Sequence, residues 1–177
     1  MTTEIEVIPD QENFKSLLWK KLKPILLFIW KRTPSWVIST IITVFIAVII
    51  QTQNVISRLG NLGADVSFGD RLSMTAYDIS HLGTLYGLFI AIALAIAFLA
   101  GGLVYHFAKF GRPIIYSVAG GVAILVMLFL MKRAFFDIHI IAGARDGLGI
   151  ALQVLAGILG GRVFAHLTRN LIKAKVA

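Results

Sequence analysis

Hydrophobic and polar positions fall into long blocks along this chain, without the short alternations of a soluble fold. Four apolar runs cover about residues 36–56, 82–107, 113–131 and 148–167, and Arg162 is the one Asp, Glu, Lys or Arg within them. Each run is close to or above the ~20 residues that a helix needs to cross hydrocarbon. The pattern predicts an all-α integral membrane protein, four transmembrane helices in a compact bundle. Trp36 stands at the start of the first run as an interface anchor, and Pro113 opens the third at a position suited to a first helical turn.

The stretch before the first run behaves differently. In "KSLLWKKLKPILLFIWKR", residues 15–32, the uncharged segment from Pro24 to Trp30 is only seven residues, too short to span. Lys15, Lys20, Lys21, Lys23, Lys31 and Arg32 alternate with apolar residues, while Trp19 and Trp30 can sit at headgroup level. Residues 15–33 therefore read as a basic amphipathic segment on the cytoplasmic membrane surface, divided by Pro24. Residues 1–14 form an acidic, polar tail unlike the basic start of a cleavable signal peptide. Residues 34–177 carry the four spans.

Between the runs lie two segments with structure of their own. Residues 57–81 hold Ser67 with Asp70 and Thr75 with Asp78, both at the spacing of a capping box. They predict a short surface helix near 68–73 and a second helix starting near Thr75. The segment "KRAFFDIHIIAGARDG", residues 132–147, is expected to pack onto the outer mouth of the bundle.

Composition sharpens the membrane reading. Of 177 residues 58% are hydrophobic and 15% charged, with a mean hydropathy of +0.84, against about 25% charged in soluble domains. The net charge of +8 does not point to nucleic acid, because the basic residues flank the apolar runs. With the N-terminus inside, twelve Lys and Arg lie on the inner side: Lys15 to Arg32 (six), Lys109, Arg112, Arg162, Arg169, Lys173 and Lys175. Five lie outside: Arg58, Arg71, Lys132, Arg133 and Arg145. That bias places both termini in the cytoplasm of a bacterial-type inner membrane. With no cysteine, thiolate chemistry and disulfides are excluded.

Small residues recur every four positions within the runs. Gly149, Gln153, Gly157 and Gly161 form such a row, as do Gly83, Gly87, Ala91 and Ala95, with a shorter row at Ser117 and Gly121. Close backbone approach is a main source of helix association in lipid, so these residues are expected to be packing faces. The first run has few small residues and is expected at the periphery, with Val48 as a lipid-facing position. "GLG" at 147–149 is not a dinucleotide fingerprint, since no strand precedes it and Leu152 replaces the third glycine.

Residues that could do chemistry are few. Asp78, His81, Asp137 and His139 supply donor types that suit zinc or manganese, set against ordinary capping and salt bridging with Arg71, Lys132 or Arg145. His81 and His106 are 25 residues apart, about 37 Å along a helix, which argues against haems stacked between histidine pairs. No cofactor is expected. No ionisable group lies mid-span, the usual mark of transport chemistry. The expectation is a non-enzymatic accessory or scaffold subunit that meets lipid and other membrane subunits or copies of itself through glycine and alanine faces. The alternative is a small transporter or channel subunit with Gln153, Thr84 and Ser117 along its path.

Overall fold

The computed structural model describes residues 11–134 and 141–173, and divides the chain into two compact units, Met1–Pro34 and Ser35–Ala177. The described residues are helical apart from short connections. Helix α1 runs over Gln11–Asn61, α2 over Phe68–Ala108, α3 over Arg112–Ala134 and α4 over Gly147–Lys173, with a 3₁₀ turn at Ala142–Ala144 before α4. Four segments are long and apolar enough to cross a membrane: Trp30–Asn61, Phe68–Ala108, Arg112–Ala134 and Gly147–Arg169.

In the first unit the described residues are helical through Pro24, so the division expected there does not occur. Trp19 and Trp30 are exposed, as are Lys20, Lys23 and Lys31. The second unit, Ser35–Ala177, contains the bundle.

Helix α2 starts where its sequence predicts. Ser67 accepts a bond from the Asp70 amide at 3.2 Å, and the Asp70 carboxylate accepts from the Ser67 amide at 3.3 Å, satisfying donors that the first turn leaves open. The second predicted start at Thr75 is absent, and one helix runs unbroken from Phe68. The Thr75 hydroxyl donates to the Arg71 carbonyl at 2.7 Å, as it does inside a helix. No proline interrupts residues 68–81, so nothing forces a break. At 41 residues α2 is about 61 Å long.

The α2–α3 connection is tight. Lys109 caps α2 in the left-handed region (φ 56°), its amide bonded to the Tyr105 carbonyl, and Gly111 takes φ 59° two residues later. This turn makes α2 and α3 antiparallel neighbours. It also defines one end of the bundle, where Lys109, Arg112 and Arg169 lie. Asp65, Asp70, Asp78 and Asp146 lie at the other, mixed-charge end.

The core is a column of side chains from all four helices. Tyr86, Ile90, Leu94 and Phe98 form the buried stripe of α2, one row of i+4 spacing. Tyr116, Ile124, Met127 and Met131 face them from α3, with Phe164 from α4. The Phe98, Tyr116 and Phe164 rings meet with centroids 4.2–5.9 Å apart.

Helix α1 is not peripheral, contrary to the expectation drawn from its scarcity of glycine. Ser39, Thr43, Ala47 and Val48 are fully buried, so Val48 does not face lipid. The physical reason lies in the partner. A methyl group on Gly160 of α4 would collide with the Thr43 hydroxyl, so glycine on one helix makes room for hydroxyls on the other.

Candidate functional site

The predicted packing residues separate once the partners are known. On α4, Gly157 and Gly161 lie directly against α3. A Cβ built on Gly157 would overlap the Gly120 carbonyl, and one on Gly161 the Tyr116 carbonyl, with Ser117 Cα 2.9 Å away. Gly120 faces back onto Gly157, and a Cβ on Gly121 would lie 2.8 Å from Ile158 Cγ1. Backbone thus meets backbone along the α3–α4 seam, where the attraction is dispersion between closely apposed atoms. Gly149 sits against the 3₁₀ turn instead, its Cβ position overlapping the Gly143 carbonyl.

The row on α2 does not act as one surface. A Cβ on Gly87 would touch Val44 of α1 at 3.3 Å, whereas one on Gly83 meets only the Asp78 carbonyl of its own helix at 3.7 Å. Ala91 and Ala95 are half-buried. Successive i+4 positions turn 40° around an α-helix, so a row of four cannot all meet one neighbour unless the helices cross to follow it.

Polar side chains then tie the helices at two levels. About two turns into α4, Gln153 is fully buried; its amide donates to the Ala47 carbonyl of α1 at 3.0 Å and accepts from the Tyr86 hydroxyl of α2 at 3.0 Å. Nearer the basic end, Ser39 donates to the Gly160 carbonyl at 2.6 Å. Where water is absent, such bonds contribute because the alternative is an unpaired polar group.

At the mixed-charge end four consecutive residues of α1, "QTQN" at 51–54, make a second tie. Gln51 accepts from the Gly143 amide at 2.8 Å while Asn54 donates to the Gly143 carbonyl at 2.7 Å. Between them, Thr52 donates to Asp78 at 2.7 Å and Gln53 to Thr75 at 3.1 Å. A helix turns 100° per residue, so adjacent positions reach different neighbours: the outer pair holds the 3₁₀ turn, the inner pair holds α2. Asp146 caps α4 through the Gly149 amide at 2.7 Å and pairs with Arg58 at 2.8 Å. Sequence reasoning missed this cluster; the uninterrupted run of four amide and hydroxyl side chains at the end of an apolar helix was the signal.

The candidate metal ligands do not converge as far as they are described. Asp78 turns toward Thr52, while His81 is exposed, stacked on Tyr77 at 4.0 Å and bonded to the Ser80 hydroxyl. Asp137 and His139 lie outside the described residues. Among the described residues no three His, Cys, Asp or Glu side chains group as metal ligands. Of the other polar candidates, Thr84 donates to the Ser80 carbonyl of its own helix and the Ser117 hydroxyl is buried without a partner.

The architecture is that of an all-α bundle whose four long apolar helices are compatible with a polytopic membrane protein. No protein-family model, curated protein or solved structure matches the chain.

Proposed function

We propose that the chain is a multi-pass protein of a bacterial-type inner membrane, with both termini cytoplasmic, and that it serves as a non-enzymatic accessory or scaffold subunit. The observation that carries the reading is Gln153. This polar side chain, about two turns inside the apolar stretch of α4, is fully buried and engaged with two neighbouring helices. A side chain used in this way holds a structure together and does not line a water-filled path.

The glycine faces of α3 and α4 are occupied inside the bundle, so a partner subunit or second copy must meet other surface. Helix α2 is about twice as long as the ~30 Å hydrocarbon thickness. Its first turns then stand outside the membrane, where Phe68, Leu72 and Tyr77 are 62–82% exposed. Apolar side chains held out on a helix in water suit a protein contact.

Two measurements test the proposal. A reporter active only outside the cytoplasm is expected to be silent after Ala177 and active when inserted near Gly63; the reverse pattern would overturn the orientation. Photo-crosslinkers at Phe68 and Leu72 are expected to capture one discrete partner or a second copy, lost in Tyr77→Glu. Solute flux through vesicles of the purified chain, with no such adduct, would favour the transporter alternative.

A further inference from the structure

Arg112, at the start of α3, is a buried cation short of partners. It is 9% exposed, and its Nη2 donates to Thr168 Oγ1 of α4 at 2.6 Å. The Thr168 hydroxyl donates a hydrogen bond to the Phe164 carbonyl at 2.6 Å, leaving its oxygen free to accept. The guanidinium carbon stands 5.7 Å from the Tyr105 ring and 5.5 Å from the Tyr116 ring. Yet Nε is buried with no acceptor. No carboxylate described in this unit is near, since all four lie at the opposite end. Burying a charge without a counter-charge is strongly unfavourable, and one hydroxyl with two ring faces offsets only part of that.

A groove of about 770 Å³ between α2 and α3 extends to Val104 and to Ile114 and Ile115, the latter two within three residues of Arg112 along α3. Val104, Ile114 and Ile115 line that end, and their chain neighbours Tyr105 and Tyr116 are the rings under Arg112. The floor is made of small residues, among them Ala97, Gly101 and Ala119. From Ile114 to Ala134 the α3 wall rises about 30 Å, the depth of the hydrocarbon layer. Lys109 is exposed in the adjoining turn.

We propose that this groove holds an acyl chain of an anionic phospholipid, with its phosphate bound by Arg112 and Lys109. The inference rests on the proposed membrane location. A phosphate diester supplies the acceptor that Nε lacks, in a geometry guanidinium matches well. An anionic lipid fits better than a zwitterionic one, because no described carboxylate of this unit lies at this end to pair with a headgroup ammonium. His106, Arg162, His166 and Arg169 are instead exposed around it. The apolar groove distinguishes a lipid from free phosphate.

The test is native mass spectrometry of the full chain in mild detergent, titrated with phosphatidylglycerol, phosphatidylcholine of equal chain length, or inorganic phosphate. Phosphatidylglycerol is expected to bind at least tenfold more tightly than phosphatidylcholine, and millimolar phosphate is expected not to displace it. Lys109→Gln is expected to weaken binding about fivefold, and Arg112→Gln on the order of tenfold. Val118→Trp, at an exposed groove-lining position, narrows the groove without touching the headgroup and is expected to weaken binding as well. Because Arg112→Gln also removes a bond to α4, Lys109→Gln and Val118→Trp decide the outcome if that variant fails to fold. Equal retention of both lipids, displacement by phosphate, or a partner helix crosslinking at Val118 in place of lipid would overturn the proposal. Flotation of the chain with vesicles separates the two readings: failure to float removes the membrane reading, whereas flotation without lipid preference removes only the lipid site.

Discussion

Replacing Gly161 with alanine adds one methyl group, and in an isolated helix the change is favourable by ~1 kcal/mol. Here the methyl enters the α3–α4 seam. It would overlap the Tyr116 carbonyl, with the carbonyl carbon at 2.6 Å and Ser117 Cα at 2.9 Å. Carbon atoms in contact stand about 3.5–4.0 Å apart, so the two helices must part by on the order of 1 Å, forfeiting a quarter to a half of each dispersion well along the opened seam. The obstructing atoms are backbone and cannot rotate away as a side-chain tip would. Overpacking of this kind costs ~1–3 kcal/mol; set against the helical gain it leaves a net loss of up to about 2 kcal/mol. For a chain of this size that lowers the melting temperature by up to about 8 °C. Gly83→Ala is the matched control, because the added methyl would meet nothing nearer than 3.7 Å; it is expected to leave stability unchanged or raise it by up to ~1 kcal/mol. Thermal loss of monodisperse protein in mild detergent, read by fluorescence-detected gel filtration, compares the three proteins directly. If Gly161→Ala melts at or above the wild type, close backbone packing is not what holds α3 to α4.

Gln153→Leu leaves the Tyr86 hydroxyl without its partner and removes the second bond to the Ala47 carbonyl, and is expected to cost about 1–2 kcal/mol, while Tyr86→Phe removes one bond and about 0.6 kcal/mol; a double-mutant cycle showing no coupling between them would refute the bonding. Lys109→Gly relieves a left-handed residue and is expected to stabilise by about 1 kcal/mol, whereas Gly111→Ala at φ 59° is expected to destabilise by a similar amount; thermal melts of both variants check the opposite signs. At the mixed-charge end, Gln51→Leu is expected to free the 3₁₀ turn and speed tryptic cleavage after the exposed Arg145. Arg58→Ala is expected to change stability by less than ~1 kcal/mol, because that ion pair is 37% and 50% exposed; equal cleavage rates in both variants would count against the clamp.

Much of this molecule is decided locally. An apolar run of ~20 residues commits to a helix because its backbone polar groups have no other partner in an apolar setting, and the four runs read from the sequence lie within the four long helices observed. The start of α2 is legible for the same reason: Ser67 and Asp70 satisfy each other within one turn. What the sequence leaves undetermined is which face of each helix meets which neighbour. Gly83 and Gly157 stand in similar rows of small residues, but only Gly157 has a backbone opposite it. Val48 and Ser39 belong to a run poor in glycine, yet both are fully buried, Ser39 because Gly160 of α4 makes room beside it and Thr43. Gln51 and Asn54 could be read as a polar helix end, and only the fold brings Gly143, 89 residues beyond Asn54, between them. Helix formation depends on bonds to residues four positions away, whereas packing depends on the crossing and register of distant segments, and that information exists only once the helices have met.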